Sequence, residues 1–332
     1  MEKIEQPIDL VLLWVDGNDP VWQAEKKEYT NKSSGDDRII RYREWDNLQY
    51  FFRGVEKFLP WIRRVHFITY GHLPVWLNKS CTKLNIVNHK DYIPAEYLPT
   101  FSSHPIELNI HRIPELAEHF IYANDDMFFI RPIKKYEFFK NNLPVDCALE
   151  TIHCIRDGGI DHITGNDLQV IDRNFNKRKI QKKYFSKWYN PKYGKQLLKS
   201  IYTAPMYAIA GFHNPHIPYP YLKSSFTEVW EKEFTVMDNT CRHRIRSIED
   251  VNQWLIRYWQ FASGKFIPGN PRLGKLLSIG RDDQLIREII QSQKYGCVCL
   301  SDDDEELDFE KERDFLKEQF QMILPHKSSF EI

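Results

Sequence analysis

Apolar residues fall in short, nearly unbroken runs, each closed by polar turn residues. The run over 8–15 (Ile-Asp-Leu-Val-Leu-Leu-Trp-Val) has no alternation, which predicts a strand covered on both faces. It ends on Asp16-Gly-Asn-Asp-Pro20, a turn signal. The runs over 65–70, 84–88 and 119–123 repeat the pattern, ending at Gly71, at His89-Lys-Asp91 and at Asn124-Asp-Asp126. Between them Leu48, Phe51, Phe52, Val55 and Phe58 recur at helical spacing and predict a helix over about 45–58. A charged helix followed by a loop at Ser33-Ser-Gly35 is expected over 23–40, and helical turns over 106–116. Further on, the pattern predicts a helix over 250–261, a strand over 297–300, and a closing helix with Phe309, Leu316, Phe320 and Ile323 on one face.

Strands alternating with helices predict an α/β fold with a mostly parallel, Rossmann-like sheet and helices on both faces. Ligands of such sheets lie beyond the carboxyl ends of the strands, where Asp16, Asp19, Asp91, Asp125 and Asp126 collect. Residues 173–199 break the pattern with ten Lys or Arg and no Asp or Glu, and with Tyr184, Phe185, Trp188, Tyr189 and Tyr193 interleaved. They read as a basic helical insert: a solvated face, or a platform for an anionic or glycan acceptor or for acidic lipid head groups.

Composition narrows the function classes. The chain has 332 residues, 46 basic and 46 acidic, so it lacks the positive excess of a nucleic-acid coat, and no nucleic-acid partner is expected. No apolar run approaches the roughly 18 residues of a membrane-spanning helix, and the first seven residues lack the basic-then-apolar order of a signal peptide. Six cysteines in this length do not suggest a disulfide scaffold. A cytoplasmic protein is expected, with peripheral contact at the inner face of the membrane left open by the insert. A homo-oligomer is compatible with the sequence.

Candidate chemistry sits in the turns. Asp125 and Asp126, adjacent after a strand, suit a hard divalent cation that shares its shell with phosphate oxygens; an Asx-turn that caps the strand is the plainer alternative. Asp16, Gly17 and Asn18 could face a nucleotide, but they match no Walker A or Gly-x-Gly-x-x-Gly pattern, which disfavours ATP and NAD. Arg43 can grip phosphate in bidentate fashion, and Asp46 or Asn47 can serve as a helix cap. Ser102 and Ser103 stand where a helix begins and His111 and Arg112 follow within it. His213-Asn-Pro-His216 and Arg246-Ser-Ile-Glu-Asp250 offer a proton acceptor and an anion clamp.

Taken in order, these segments resemble the signature blocks of the Stealth family of sugar-phosphate transferases. The first block is similar to 9–19 (Asp-Leu-Val-Leu-Leu-Trp-Val-Asp-Gly-Asn-Asp). The second is similar to Arg41-Tyr-Arg-Glu-Trp-Asp-Asn-Leu-Gln-Tyr50 and continues through Leu98-Pro-Thr-Phe-Ser-Ser-His104 to Phe120-Ile-Tyr-Ala-Asn-Asp-Asp126. The third is similar to the segments at 213–216 and 246–250. The fourth, Cys299-Leu-Ser-Asp302, departs from the family's Asn-Asp at Ser301, and Trp45 replaces a small polar residue. The resemblance implies a glycosyltransferase-A-like sheet and transfer of hexose-1-phosphate, N-acetylhexosamine-1-phosphate above all, from a UDP-sugar to a glycan or lipid-linked glycan hydroxyl. UMP would be released, in the making of capsule or cell-surface polysaccharide. It further implies a nucleotide-sugar-binding core over 1–150, the insert over 151–210 for acceptor or membrane contact, and a part over 211–332 that completes the core. In this reading Asp16, Gly17, Asn18, Arg43, Asn47, Ser102, Ser103, Arg112 and Asn124 bind substrate. Asp125 and Asp126 hold Mg²⁺, with Mn²⁺ as the alternative. Arg246 acts as clamp, and His213, Asp46 or His111 takes the proton. An ordinary glycosyltransferase releasing UDP and a non-catalytic glycan or lipid binder are the competing readings.

Overall fold

The computed structural model describes residues 6–30, 43–155, 161–304 and 306–332; the end of the helix and loop expected over 23–40 lies outside them. The main sheet holds β1 (Ile8–Leu13), β2 (Val65–Thr69), β3 (Leu84–Asn88) and β4 (His119–Asn124). β5 (Met127–Phe129), β6 (Phe139–Lys140) and β7 (Leu143–Asp146) follow, then β8 (Tyr219–Leu222), β9 (Ile267–Pro268), β10 (Gly274–Ser278) and β11 (Cys297–Ser301). The main sheet runs β3-β2-β1-β4-β8. Its first four strands are parallel, with Leu10 opposite Val65 and Ile121, and β8 is antiparallel at the edge. Two small sheets, β10-β11-β5 and β6-β7-β9, accompany it among the described residues. β1 and β2 are buried at every residue, so both faces of the sheet are covered. The strand order reverses between β1 and β4, and the carboxyl ends of these two strands are the switch point of the sheet.

Packing fixes that switch point. The helix Leu48–Phe58 buries Leu48, Phe51, Phe52, Val55 and Phe58 as its spacing demands, and it lies so close to β5 that a Cβ on Gly54 would come within 2.7 Å of the Phe129 carbonyl oxygen. β5 thus extends the Asn124-Asp-Asp126 turn and presses it against β11, where the Leu300 amide donates to the Asp126 carbonyl at 2.9 Å. The expected helical turns over 106–116 are shorter in the structure, a helix at Ser103–Leu108 and one turn at Ile110–Arg112. The Asn109 side chain donates to the Pro105 carbonyl at 2.8 Å and closes the helix, and Pro114 cannot continue it.

A buried charge stitches three of the strands. The Asp9 carboxylate accepts from Arg63 Nε at 2.8 Å and Nη2 at 2.6 Å and from the Ala117 amide at 2.8 Å, and it meets His66 Nε2 at 3.0 Å. Asn85 Nδ2 donates to His66 Nδ1 at 2.9 Å, so Nε2 is the nitrogen that carries the proton toward Asp9. Burial alone would raise the Asp9 carboxyl, but the His66, Arg63 and Ala117 hydrogen bonds hold it below its ordinary value. A depressed native pKa gives stability that is present above the unfolded value and is lost as pH falls through the native one. Asp9→Asn is therefore expected to cost about 3 kcal/mol at neutral pH. Urea midpoints measured from neutral to acid pH will also show the variant losing less stability over the acid range than the parent.

Candidate active site

The switch point opens into a cleft of about 730 Å³. Its floor comes from the end of β1 (Leu13, Trp14, Val15) and from Asn124, Asp125 and Asp126 after β4. Its walls come from 43–45 and 47–48, 100–104 with Ile106 and Glu107, Asn214 with His216, Arg246, 252–254 and 300–303.

One corner of the cleft is built around Asp126. One oxygen, Oδ2, lies 3.3 Å from His216 Nε2 and 3.3 Å from Cys299 Sγ, while Oδ1 is buried with no hydrogen-bond partner. The three donor atoms of Asp126, His216 and Cys299 lie within 4.8 Å of one another. Asp125 opens to the cleft yet is ringed by protein, and this desolvation, with the charges of Asp126 and Glu44, pushes its carboxyl well above the ordinary range. A bare carboxylate oxygen beside a carboxyl raised by burial and by like charges fits a divalent cation, which would satisfy the one and relieve the other. Burial would lower His216, but the Asp126 carboxylate outweighs it and raises the imidazole on balance.

His216 is held from behind. Its backbone stands at φ 50, a left-handed conformation uncommon outside glycine. Its amide donates to the Tyr219 hydroxyl at 3.1 Å. The buried Arg257 grips Asp146 through Nε at 2.7 Å and Nη2 at 2.8 Å, and its Nη1 donates to the His213 carbonyl at 3.1 Å and Asn214 Oδ1 at 2.8 Å. This clamp fixes the turn so that Asn214 and His216 face the cleft. His213 instead lines a separate cavity of about 40 Å³ with Asp146 and Tyr219, where burial and the Arg257 charge push it down to about 4.

The opposite wall carries the cations. Arg246 Nη2 donates to Ser103 Oγ at 2.9 Å, and its charge reaches His216. Ser102 caps the Ser103–Leu108 helix by accepting from the His104 amide. His104, also on the cleft, meets Asp250 Oδ2 through Nδ1 at 2.8 Å, while His243 meets Asp250 Oδ1 at 2.7 Å. Arg43 pairs with Asp302 at 3.3 Å, and burial lifts the Asp302 carboxyl to about 6 despite that charge. Glu44 accepts from Trp14 Nε1 at 2.8 Å, and Asn124 accepts from the Tyr122 hydroxyl.

Of the residues expected from sequence, Arg43, Asn47, Ser102, Ser103, Asn124, Asp125, Asp126 and Arg246 line this one cleft. Others stand outside its lining. Asp16 folds into a turn, accepting from the Asn18 amide at 2.9 Å, and the Gly17 carbonyl accepts from Gln23. Asp46, at φ 48, pairs with Lys317 on the closing helix. His111 packs on Phe226 and Trp230 and is pushed down to about 3 by burial, and Arg112 lies over Trp230 at 4.8 Å. The structure adds His216, His104, Glu44, Glu107, Cys299 and Asp302 to the cleft's neighbourhood. All but Glu107 lie in the motif segments of the sequence, yet nothing in those segments says which side chain faces inward.

A mostly parallel sheet with acids, an arginine and a histidine gathered at its switch point is the layout of a ligand-binding α/β enzyme. Residues 6–34 match the description "Stealth protein CR1, conserved region 1", and residues 41–146 match "Stealth protein CR2, conserved region 2". The chain is 42% identical over 329 residues to the capsular polysaccharide phosphotransferase WcwK of Streptococcus pneumoniae, covering 98% of each chain. It is 41% identical over 334 residues to the receptor polysaccharide phosphotransferase WefC of Streptococcus oralis, covering 98% of this chain and 99% of that one. Among solved structures, the galactosyltransferase LgtC with donor and acceptor sugar analogs superposes over 95% of this chain and 96% of its own. The TM-score is 0.40 and the identity 9%, a likeness too distant to speak to activity. The chain belongs to the Stealth family, and it is a phosphotransferase. No helix among the described residues is long and apolar enough to cross a membrane.

Proposed function

We propose that this enzyme transfers hexose-1-phosphate from a UDP-sugar to a hydroxyl of a glycan or lipid-linked glycan in capsule or cell-surface polysaccharide synthesis. The observation that carries the reading is the convergence of Asp125, Asp126, Arg246 and His216 on one cleft in a chain with polysaccharide phosphotransferases as full-length relatives. Asp125 and Asp126 would hold Mg²⁺ or Mn²⁺, which when bound neutralises the donor's diphosphate. Arg246 and Arg43 grip phosphoryl oxygens from the facing wall, and Ser103 aims the first of them. Trp14, Val15 and Asn124 border the space for the nucleotide and sugar. His216 takes the proton of the acceptor hydroxyl, and the oxygen so freed bonds to the phosphorus that carries the sugar. The bridging P–O bond of the diphosphate breaks, and UMP leaves with the bridge oxygen. The product is a phosphodiester. Positioning and charge stabilisation supply most of the rate in transfers of this kind.

Incubation with a panel of UDP-sugars, a divalent cation and a glycan acceptor tests this directly. UMP is the expected nucleotide product, with turnover abolished by a chelator and restored by added Mg²⁺ or Mn²⁺. Release of UDP would mean attack at the anomeric carbon and would replace the proposal with an ordinary glycosyltransferase. Sugar-nucleotide binding with no consumption would make the protein a binder.

A further inference from the structure

The helix Leu197–Thr203 is turned inside out. It buries Ser200 and Thr203, whereas Leu198, Ile201 and Tyr202 point outward at 68%, 52% and 71% exposure. Tyr207, just beyond it, is 94% exposed. A surface helix ordinarily does the reverse, and apolar side chains at such positions need a reason. The inward side is held by polar contacts. Ser200 Oγ accepts from the Glu150 amide at 2.9 Å, and the Thr203 carbonyl accepts from Lys177 Nζ at 2.9 Å while that ammonium also pairs with buried Glu150. The outward side adds Lys199 beside Leu198 and Tyr202, and Lys195 on the turn just before the helix, both exposed. The helix continues from the 173–199 stretch, which has ten basic residues and no acidic one in a chain of net charge zero, and from it Lys177 and Arg178 reach the carbonyls of Thr203 and Ala204. Of those ten, only Arg173 and Lys177 meet a carboxylate among the described residues.

We infer that this face, made by Lys195, Leu198, Lys199, Ile201, Tyr202 and Tyr207, docks the enzyme on a bilayer rich in anionic lipid. Apolar and tyrosine side chains enter the head-group boundary while lysines meet the lipid charge, which is the pattern of an interfacial helix. A polyanion bound by charge alone would have no use for three outward apolar side chains. A neutral sugar chain would have no use for the uncompensated lysines, and an anionic one would gain nothing from Leu198 and Ile201, which offer no polar group. The anchoring bears on the cleft through short connections. Glu150, bonded to Ser200 and Lys177, bridges to Phe212, four residues before His216. A docked enzyme would therefore hold its cleft at a fixed height above the lipid surface. The docking itself does not rest on the transfer chemistry, since it is measured without substrate.

Co-sedimentation of the full chain with vesicles tests the inference. Binding to phosphatidylglycerol–phosphatidylcholine vesicles should exceed binding to pure phosphatidylcholine at least tenfold at low salt, and should fall as salt rises. The triple substitution Leu198→Ser, Ile201→Ser, Tyr202→Ser and, separately, Lys195→Glu with Lys199→Glu should each weaken binding at least tenfold, at roughly fivefold per lysine removed. All these positions are exposed, and an unchanged melting temperature and circular dichroism would verify that the variants fold. Equal binding to both vesicle types, no binding to either, or variants that bind like the parent would overturn the inference. So would a concentration-dependent dimer that the triple substitution dissolves while vesicles capture nothing, which would assign the face to a second copy of the chain.

Discussion

Arg246→Ala is expected to lower kcat by ~10²–10³-fold, the scale of losing one preorganised donor to a developing anionic centre. The side chain is fixed before substrate arrives, because its Nη2 donates to Ser103 Oγ at 2.9 Å and the loop that carries it is tied down. That tie is Asp250, which accepts from the Ser247 amide at 3.0 Å and meets His104 and His243 with its two oxygens. Charge alone is not what the position supplies. Arg246→Lys keeps the charge but not the planar fork, and should recover little of the lost rate. Ser103→Ala removes the aim but not the clamp, and should cost about tenfold, mostly in kcat. If Arg246→Ala raised KM and left kcat intact, the arginine would hold donor and transition state equally and would not stabilise the developing charge.

The strands of the main sheet were readable from sequence for a physical reason. A strand buried on both faces needs apolar side chains at every position, so β1, β2 and β4 appear as continuous runs. β8 was not readable, since Pro220 interrupts it. The structure places it at the sheet's edge, where a missing amide is tolerated. The small sheets were equally hidden, because two-residue strands such as β6 and β9 have no period to detect. Within the site, turns after strands could be found but not the direction of side chains within them. Asp125 and Asp126 were found because adjacent acids after a strand end must lie near the switch point. His213 and His216 straddle a proline in an irregular turn, where no periodicity assigns faces. Their orientation depends on Arg257 and Asp146, which come from distant parts of the chain. Cys299 reaches the Asp126 carboxylate only because β11 pairs with β5, an arrangement no local pattern records.

His216→Asn should reduce turnover by ~10²–10⁴-fold, the usual worth of a positioned general base. Asparagine is the informative replacement because it tolerates the left-handed backbone that His216 adopts at φ 50, so the turn survives while the proton acceptor is lost. His213→Asn provides the contrast. Its ring faces the small cavity beside Asp146, and what Arg257 grips at this residue is the backbone carbonyl, which the substitution leaves in place. It should keep at least a tenth of parental turnover. A structural account of His216, in which the ring merely satisfies Asp126, predicts a different pair of results. His216→Asn would then lose stability together with activity, and added imidazole would restore nothing. Under the base assignment the melting temperature stays near the parent's, donor KM changes little, and kcat falls. Equal losses for the two histidines, or a larger loss for His213, would place the proton acceptor outside the Asp126 corner of the cleft.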